Sequence, residues 1–301
     1  MQLNQRMAHL EPVFVTGTGT DVGKTYVTAL LCRALNDWLK ADLRGVVRYY
    51  KAAISGSANF FDSDAGFVIK NAGLDQDIAT ATSYLYREPV SPHLAYYNEV
   101  VAGKMPMEPS LTAVLGDFAY VYDSCTLTVL EGSGGIYCPL WCTPNYLSAA
   151  VRANAYPSAE AGSSVLQRTE LDDCCTICDF MRVLTKFYGG LKIVVVADAK
   201  LGCINEVLTT LQSLKHEGFD LNRVVVILNH YDPSSLMQRN NVGMIESLTK
   251  VPVVATVGTG QTSLELSSEL RQFFSSSEPL PENDRRALFQ ISQGLKWWPQ
   301  K

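Results

Sequence analysis

Residues 17–25, Gly-Thr-Gly-Thr-Asp-Val-Gly-Lys-Thr, carry the most chemistry per residue in the chain. They follow an apolar run at 13–17 and open a helical pattern over 23–40, the setting a phosphate-binding loop requires. Gly17 and Gly23 admit tight or positive-φ backbone, so successive N–H groups can converge on one anion. The helix N-terminus behind them adds partial positive charge. Lys24 is placed to reach β- and γ-phosphates, and Thr25 to offer its hydroxyl to Mg²⁺. The spacing departs from the standard G-x-x-x-x-G-K-[ST], which needs a glycine where this chain has Thr18. A glycine-rich turn with no ligand is the competing reading, and Gly-Lys-Thr at a strand–helix junction argues against it.

Three further places could serve such a loop. Lys51 leaves a strand in "YYKAAISGS" (49–57), with Ser55 four residues on. A second lysine beside bound phosphates could neutralise charge on a transferring phosphoryl group; alone it reads as a surface lysine. Asp64 in "DSDAG" could ligate Mg²⁺ or its waters, although alone it reads as a helix cap. Glu131 ends an apolar strand in "VLEGSGGIYCPL" (129–140), a common place for a metal-side carboxylate. Gly132, Gly134 and Gly135 after it allow close approach to the backbone.

Elements of two periods must position these groups. Apolar β-branched runs at 13–17, 45–52, 127–132, 192–197, 223–228 and 252–256 read as strands. Helical patterns occupy 23–40, 111–123, 204–217, 236–249 and 262–274. Strands apolar on both faces and alternating with helices predict an α/β fold with a mostly parallel central sheet and helices on both faces. Right-handed crossovers then set the glycine loop and "EGSGG" on the same sheet edge, where open α/β sheets bind ligands. One domain over 1–274 is expected. The Ala-, Ser- and Pro-rich stretch 143–168 reads as a surface insertion, and 275–301 as a linker and a C-terminal helix docked on the same domain.

Composition narrows the function. Of 301 residues, 47% are hydrophobic and 18% charged, which suits a globular core, and the net charge of −5 does not suggest a nucleic-acid surface. The N-terminus lacks an apolar secretory region and no apolar run approaches a membrane span, so a cytoplasmic protein with no membrane partner is expected. The eight cysteines are then expected as reduced thiols. Cys174 and Cys178 would share one helix face, with Cys138 and Cys142 similarly spaced, and a four-thiol metal site is the disfavoured alternative.

Taken in order, "GTGTDVGKT", "YKAAISG", "SDAG", "SPH" (91–93), "EGSGGIYCPL" and "KLGCIN" (200–205) resemble the motifs of dethiobiotin synthetase, from about residue 13 to about 230. The family's G-x₅-G-K-T spacing matches Gly17 and Gly23. The resemblance implies a P-loop NTPase-like fold and a C–N bond-forming cyclo-ligase of biotin biosynthesis. Its substrates would be 7,8-diaminopelargonate, CO₂ and ATP, with Mg²⁺ as cofactor. It implies that Asp21, Val22, Gly23, Lys24, Thr25 and Tyr26 wrap the triphosphate and that Thr25, Asp64 and Glu131 surround Mg²⁺. Lys51 and Lys24 would be catalytic, and Thr20 and Ser55 would hold the diamine or carbamate end. Glu131, Gly132, Ser133 and Gly134 would line the nucleotide, with Asn229 and His230 at the base. Gly202, Cys203, Ile204 and Asn205 would receive the substrate's distal carboxylate from a partner subunit, which implies a homodimer with shared sites. Read without the family, 202–205 is a plain helix start capped by Asn205, and His93 reads as structural. The chain lacks the proline that usually follows the family lysine and, after 252, the family's acidic base-binding turn. A nucleotide-dependent switch or partitioning ATPase is the alternative, but its loop carries a lysine where this chain has Gly19.

Overall fold

The computed structural model describes residues 9–42, 45–142 and 173–276. The stretch 143–168 and the docked helix expected near the C-terminus lie outside the described residues. Seven strands form one sheet: β1 (Val13–Gly17), β2 (Val47–Ser55), β3 (Thr82–Tyr86), β4 (Leu127–Glu131), β7 (Lys192–Asp198), β8 (Val224–Asn229) and β9 (Val253–Val257). Their order is β3-β2-β4-β1-β7-β8-β9, and every pairing is parallel. A separate antiparallel pair joins β5 (Pro139–Cys142) to β6 (Cys174–Thr176).

Alternation along each strand sends side chains to two cores. Val13, Val15, Val194 and Val196 pack with α1 (Lys24–Asp42), α2 (Asp64–Ala72) and α8 (Ser268–Ser275). Phe14, Ile193 and Val195 pack on the other face. There they meet α4 (Leu111–Asp123), α5 (Ile177–Tyr188), α6 (Cys203–His216) and α7 (Leu236–Thr249). Tyr96 of α3 (Pro92–Val101) joins that second cluster. This is the α/β architecture the sequence predicts, with helices on both faces. Among the described residues, no helix is long and apolar enough to cross a membrane.

Several local expectations are corrected. The helix expected over 262–274 begins only at Ser268, because the Ser267 side chain accepts from the Leu270 N–H and caps it there, while Leu264 and Leu266 are buried ahead of it. Cys174 and Cys178 do not share a helix face. Thr176 and Asp179 form a capping box that starts α5 at Ile177, leaving Cys174 in a strand. Cys142 and Cys174 face each other across that ladder and are joined as a disulfide, so the thiol expectation fails for this pair. Cys32, Cys125, Cys138 and Cys203 keep their thiols. Asn205 does not cap α6, whose N-cap is Gly202 with φ 96°.

Helix α2 carries Asp64 and is held close to the chain before it. Ser63 rather than Asp64 is its N-cap, accepting from the Gly66 N–H at 3.3 Å. A Cβ at Gly66 would lie 2.2 Å from the Phe61 carbonyl oxygen and 2.7 Å from that of Phe60. Gly66→Ala is therefore expected to lower unfolding free energy by about 1–3 kcal/mol, as overpacking does, read by urea denaturation. Unchanged stability would show that the 60–63 turn yields without cost.

Candidate active site

Three strands deliver the reactive groups to the C-terminal edge of the sheet. The loop after β1 runs into α1, β2 carries Lys51 and Ser55, and β4 ends at Glu131. Because β2 and β4 pair in parallel through Tyr49–Val129 and Tyr50–Leu130, Lys51 comes abreast of Glu131. The Gly132 N–H continues the ladder to the Val15 carbonyl at 2.9 Å, and Ser133 Oγ donates to the Ala53 carbonyl at 3.1 Å. The turn after β4 is thus tied to the strands on both sides of it.

Lys51 is the hub. Its Nζ lies 2.5 Å from Asp64 Oδ2 and 2.8 Å from Glu131 Oε1. The Lys51 and Glu131 side chains are 6% and 0% exposed, and Asp64 is 36% exposed, so the cluster opens to solvent on the Asp64 side. Burial pushes the Lys51 ammonium down, yet Glu131 and Asp64, by charge and hydrogen bond, hold it above its ordinary value of 10.5. Thr25 Oγ1 donates to the same Glu131 Oε1 at 2.7 Å. Lys24 Nζ donates to the Gly19 carbonyl at 2.7 Å. Burial lowers the Lys24 ammonium, and the Lys51 charge lowers it further. Two ammonium groups therefore approach one another at a helix N-terminus, an arrangement that an anion would relieve.

The loop itself is shaped by contacts that glycine alone permits. Gly23 has φ 83°, and a Cβ there would lie 2.0 Å from Asn229 Nδ2. Asp21 also takes positive φ, 58°. Asn229 Nδ2 donates to the Val22 carbonyl at 3.1 Å and leaves Oδ1 buried with no partner among the described residues. Tyr26 Oη donates to the Gln261 carbonyl, tying α1 to the turn after β9.

A cavity of about 390 Å³ joins these parts. Thr20, Asp21, Gly23, Lys24, Thr25, Lys51, Ser55, Asp64, Glu131, Ser133 and Gly134 all line it. Val22, Tyr26 and Gly132, expected at the nucleotide, do not line it. Asn229 and His230 stand behind the loop at the end of β8, with His230 Nδ1 3.4 Å from Asp198. Gly202, Cys203, Ile204 and Asn205 do not line the cavity. Their turn is tethered beside the loop, where Thr18 Oγ1 reaches Glu206 at 3.3 Å. Sequence reasoning missed the wall from Pro89 to Pro92, the Cys138 thiol, and Tyr49, whose Oη donates to Glu131 Oε2 at 3.2 Å. Tyr49 had one legible signal: it lies two residues before Lys51 and so shares its strand face.

Among the described residues, no group of three or more His, Cys, Asp or Glu could hold a metal. Thr25, Asp64 and Glu131 are hard oxygen donors of the kind Mg²⁺ takes together with substrate phosphates, and a cationic ammonium already sits between the two carboxylates. The donor set fits that ion.

Removing Lys51 would leave Glu131 buried with hydroxyl donors only. Lys51→Met is expected to cost about 3–5 kcal/mol of stability, the usual effect of breaking a buried pair from one side. Because the ammonium is raised in the folded state, its contribution is whole below pH 10.5 and is lost as pH rises through the folded value. Denaturant unfolding at neutral pH should therefore show the full loss. A change within error would mean that the pair contributes nothing to folding.

The AAA domain family matches residues 11–153 and 170–262 of the chain. An ATP-dependent dethiobiotin synthetase BioD from Brachyspira hyodysenteriae (strain ATCC 49526 / WA1) is 30% identical over 254 residues, covering 84% of this chain and 94% of its own. The protein of that name from Clostridium botulinum (strain 657 / Type Ba4) is 29% identical over 261 residues, covering 85% and 94%. Among solved structures, a ParA family ATPase from Chlorobium tepidum TLS aligns over 97% of this chain and 94% of that one, with 13% identity and a TM-score of 0.40. Aligned with its dethiobiotin synthetase relatives along nearly their whole length, the chain belongs to the dethiobiotin synthetase family.

Proposed function

We propose that the protein closes the ureido ring of dethiobiotin from 7,8-diaminopelargonate, CO₂ and ATP. One observation carries the reading: Lys51, buried between Asp64 and Glu131, faces the same cavity as the phosphate loop and Ser55. In the partitioning ATPases the second lysine belongs to the loop itself, where this chain has Gly19; here the second cation comes from β2 and stands beside Ser55.

The proposed steps use these groups in turn. One amine of the diamine adds to CO₂ and gives up a proton to solvent, forming a carbamate held near Thr20 and Ser55 with Lys51 opposing its charge. The backbone of 19–25 and Lys24 hold the triphosphate. A carbamate oxygen attacks the γ-phosphorus, the bond to the β-phosphate oxygen breaks, and ADP leaves. The second amine then attacks the carbamoyl carbon, phosphate departs, and the ring closes with loss of a proton. Little covalent help is needed, because phosphoryl transfer responds mainly to positioning and charge neutralisation. Mg²⁺, held by Thr25, Asp64 and Glu131, would supply charge neutralisation at the phosphate oxygens. Asn229, whose Oδ1 finds no partner among the described residues, and His230 would meet the base.

The active form is proposed to be a homodimer. The 202–205 turn lies outside the cavity of its own chain, which is consistent with service to a neighbour's substrate. The helix N-terminus there suits a carboxylate. Residues 1–274 are proposed as one domain.

The decisive assay supplies ATP, Mg²⁺ and bicarbonate with and without the diamine. Phosphate release and dethiobiotin, identified by mass, are expected only when the diamine is present. Phosphate release indifferent to the diamine, with no dethiobiotin, would overturn the proposal. Lys51→Gln keeps N–H donors toward the carboxylates. It is expected to lower kcat by about 10²–10³-fold, as loss of a transition-state charge donor does, and to leave ATP affinity within a few-fold. Equal loss of both would contradict the role given to Lys51.

A further inference from the structure

Glu131 is the most enclosed charged group of the cavity, and its two oxygens have divided duties. Oε1 faces the cavity side, where Lys51 Nζ and Thr25 Oγ1 both reach it at 2.8 and 2.7 Å. Oε2 faces inward and accepts from the Tyr49 hydroxyl at 3.2 Å. Tyr49 is fully buried, so no water competes for that bond. Its own peptide is fixed from both sides by one buried side chain. Gln76 Oε1 accepts from the Tyr49 N–H at 2.8 Å, and Gln76 Nε2 donates to the Tyr49 carbonyl at 2.9 Å. This clamp falls where β2 has not yet met β3, whose pairing begins at Lys51. A glutamine amide thus stands in for a missing strand and steadies the tyrosine that steadies the glutamate.

We propose that Tyr49 is a positioning residue. Its hydroxyl holds Glu131 Oε2 inward so that Oε1 is presented, at a fixed angle, to the divalent cation that accompanies the nucleotide. The inference rests on the proposed function only for the presence of a metal–nucleotide complex at this loop. Tyr50, the next residue, supplies an internal control. Its hydroxyl is equally buried but meets Ser83 Oγ at 2.6 Å and the Val114 carbonyl at 3.0 Å on the opposite face.

The test compares the full chain with its Tyr49→Phe and Tyr50→Phe variants by calorimetric titration of a non-hydrolysable ATP analogue, first in EDTA and then across a Mg²⁺ series. In Tyr49→Phe, the Mg²⁺ concentration giving half-maximal tightening should rise about tenfold, roughly 1.4 kcal/mol, a hydrogen bond to a charged group. Analogue affinity in EDTA should stay within about twofold, and Tyr50→Phe should titrate like the unmodified chain. A Tyr49→Phe titration that overlays the unmodified one would overturn the inference. So would equal shifts in both variants, which would mark a general packing effect. The titration needs no diamine. A chain that binds the metal–nucleotide complex normally yet makes no dethiobiotin would end the ring-closure reading and leave this one standing.

Discussion

The site depends on one buried ion pair. Glu131 and Lys51 are drawn out of water together, and neither is tolerable alone at that depth. What makes the pair tolerable is saturation. Lys51 finds a second carboxylate in Asp64, while Glu131 finds hydroxyls from Thr25 and Tyr49. A buried polar network satisfied in this way is rigid, and rigidity is what a phosphoryl-transfer site needs from its protein. The solvent-facing side, at Asp64, is where ligand charge can enter without dismantling the inner bonds.

The sheet order explains how five segments distant in sequence meet. β1 lies at the centre, with β4 and then β2 on one side. Their C-terminal ends place the phosphate loop, Glu131 and Lys51 side by side on one edge. On the other side β7 and β8 bring the 199–206 turn and Asn229 to the back of the loop. The asymmetry suits the proposed reaction, in which the phosphates would lie at the centre, the diamine or its carbamate toward β2, and the base toward β8. Gly23 marks the crossing point, because the chain passes so close to Asn229 there that no side chain fits.

Much of this was legible before any coordinates. The unusual glycine spacing, Gly-Lys-Thr, and a lysine and a glutamate at strand ends led to the residues that line the cavity. The reason is physical: phosphate chemistry needs particular residue types at backbone-determined positions, and these leave a spacing in the chain. Tyr49 and Gln76 stayed hidden because a tyrosine in an apolar strand reads as core and a lone glutamine reads as surface. Their roles arise only from pairing between segments. Helix α2 and β3 are short, nine and five residues, and carried too little periodicity to stand out. Cys174 was assigned to a helix because the pattern after it is helical, and the boundary set by Thr176 and Asp179 came three residues later than that pattern suggests.

The central claim is that the Lys51 cluster and the phosphate loop act on the same reacting atoms. A crystal structure with Mg²⁺, a non-hydrolysable ATP analogue and 7,8-diaminopelargonate tests it most directly. The account predicts the γ-phosphate within hydrogen-bond distance of both Lys24 and Lys51, the cation among Thr25, Asp64 and Glu131, and an amine of the diamine near Ser55. A nucleotide bound with its γ-phosphate out of reach of Lys51 would contradict it.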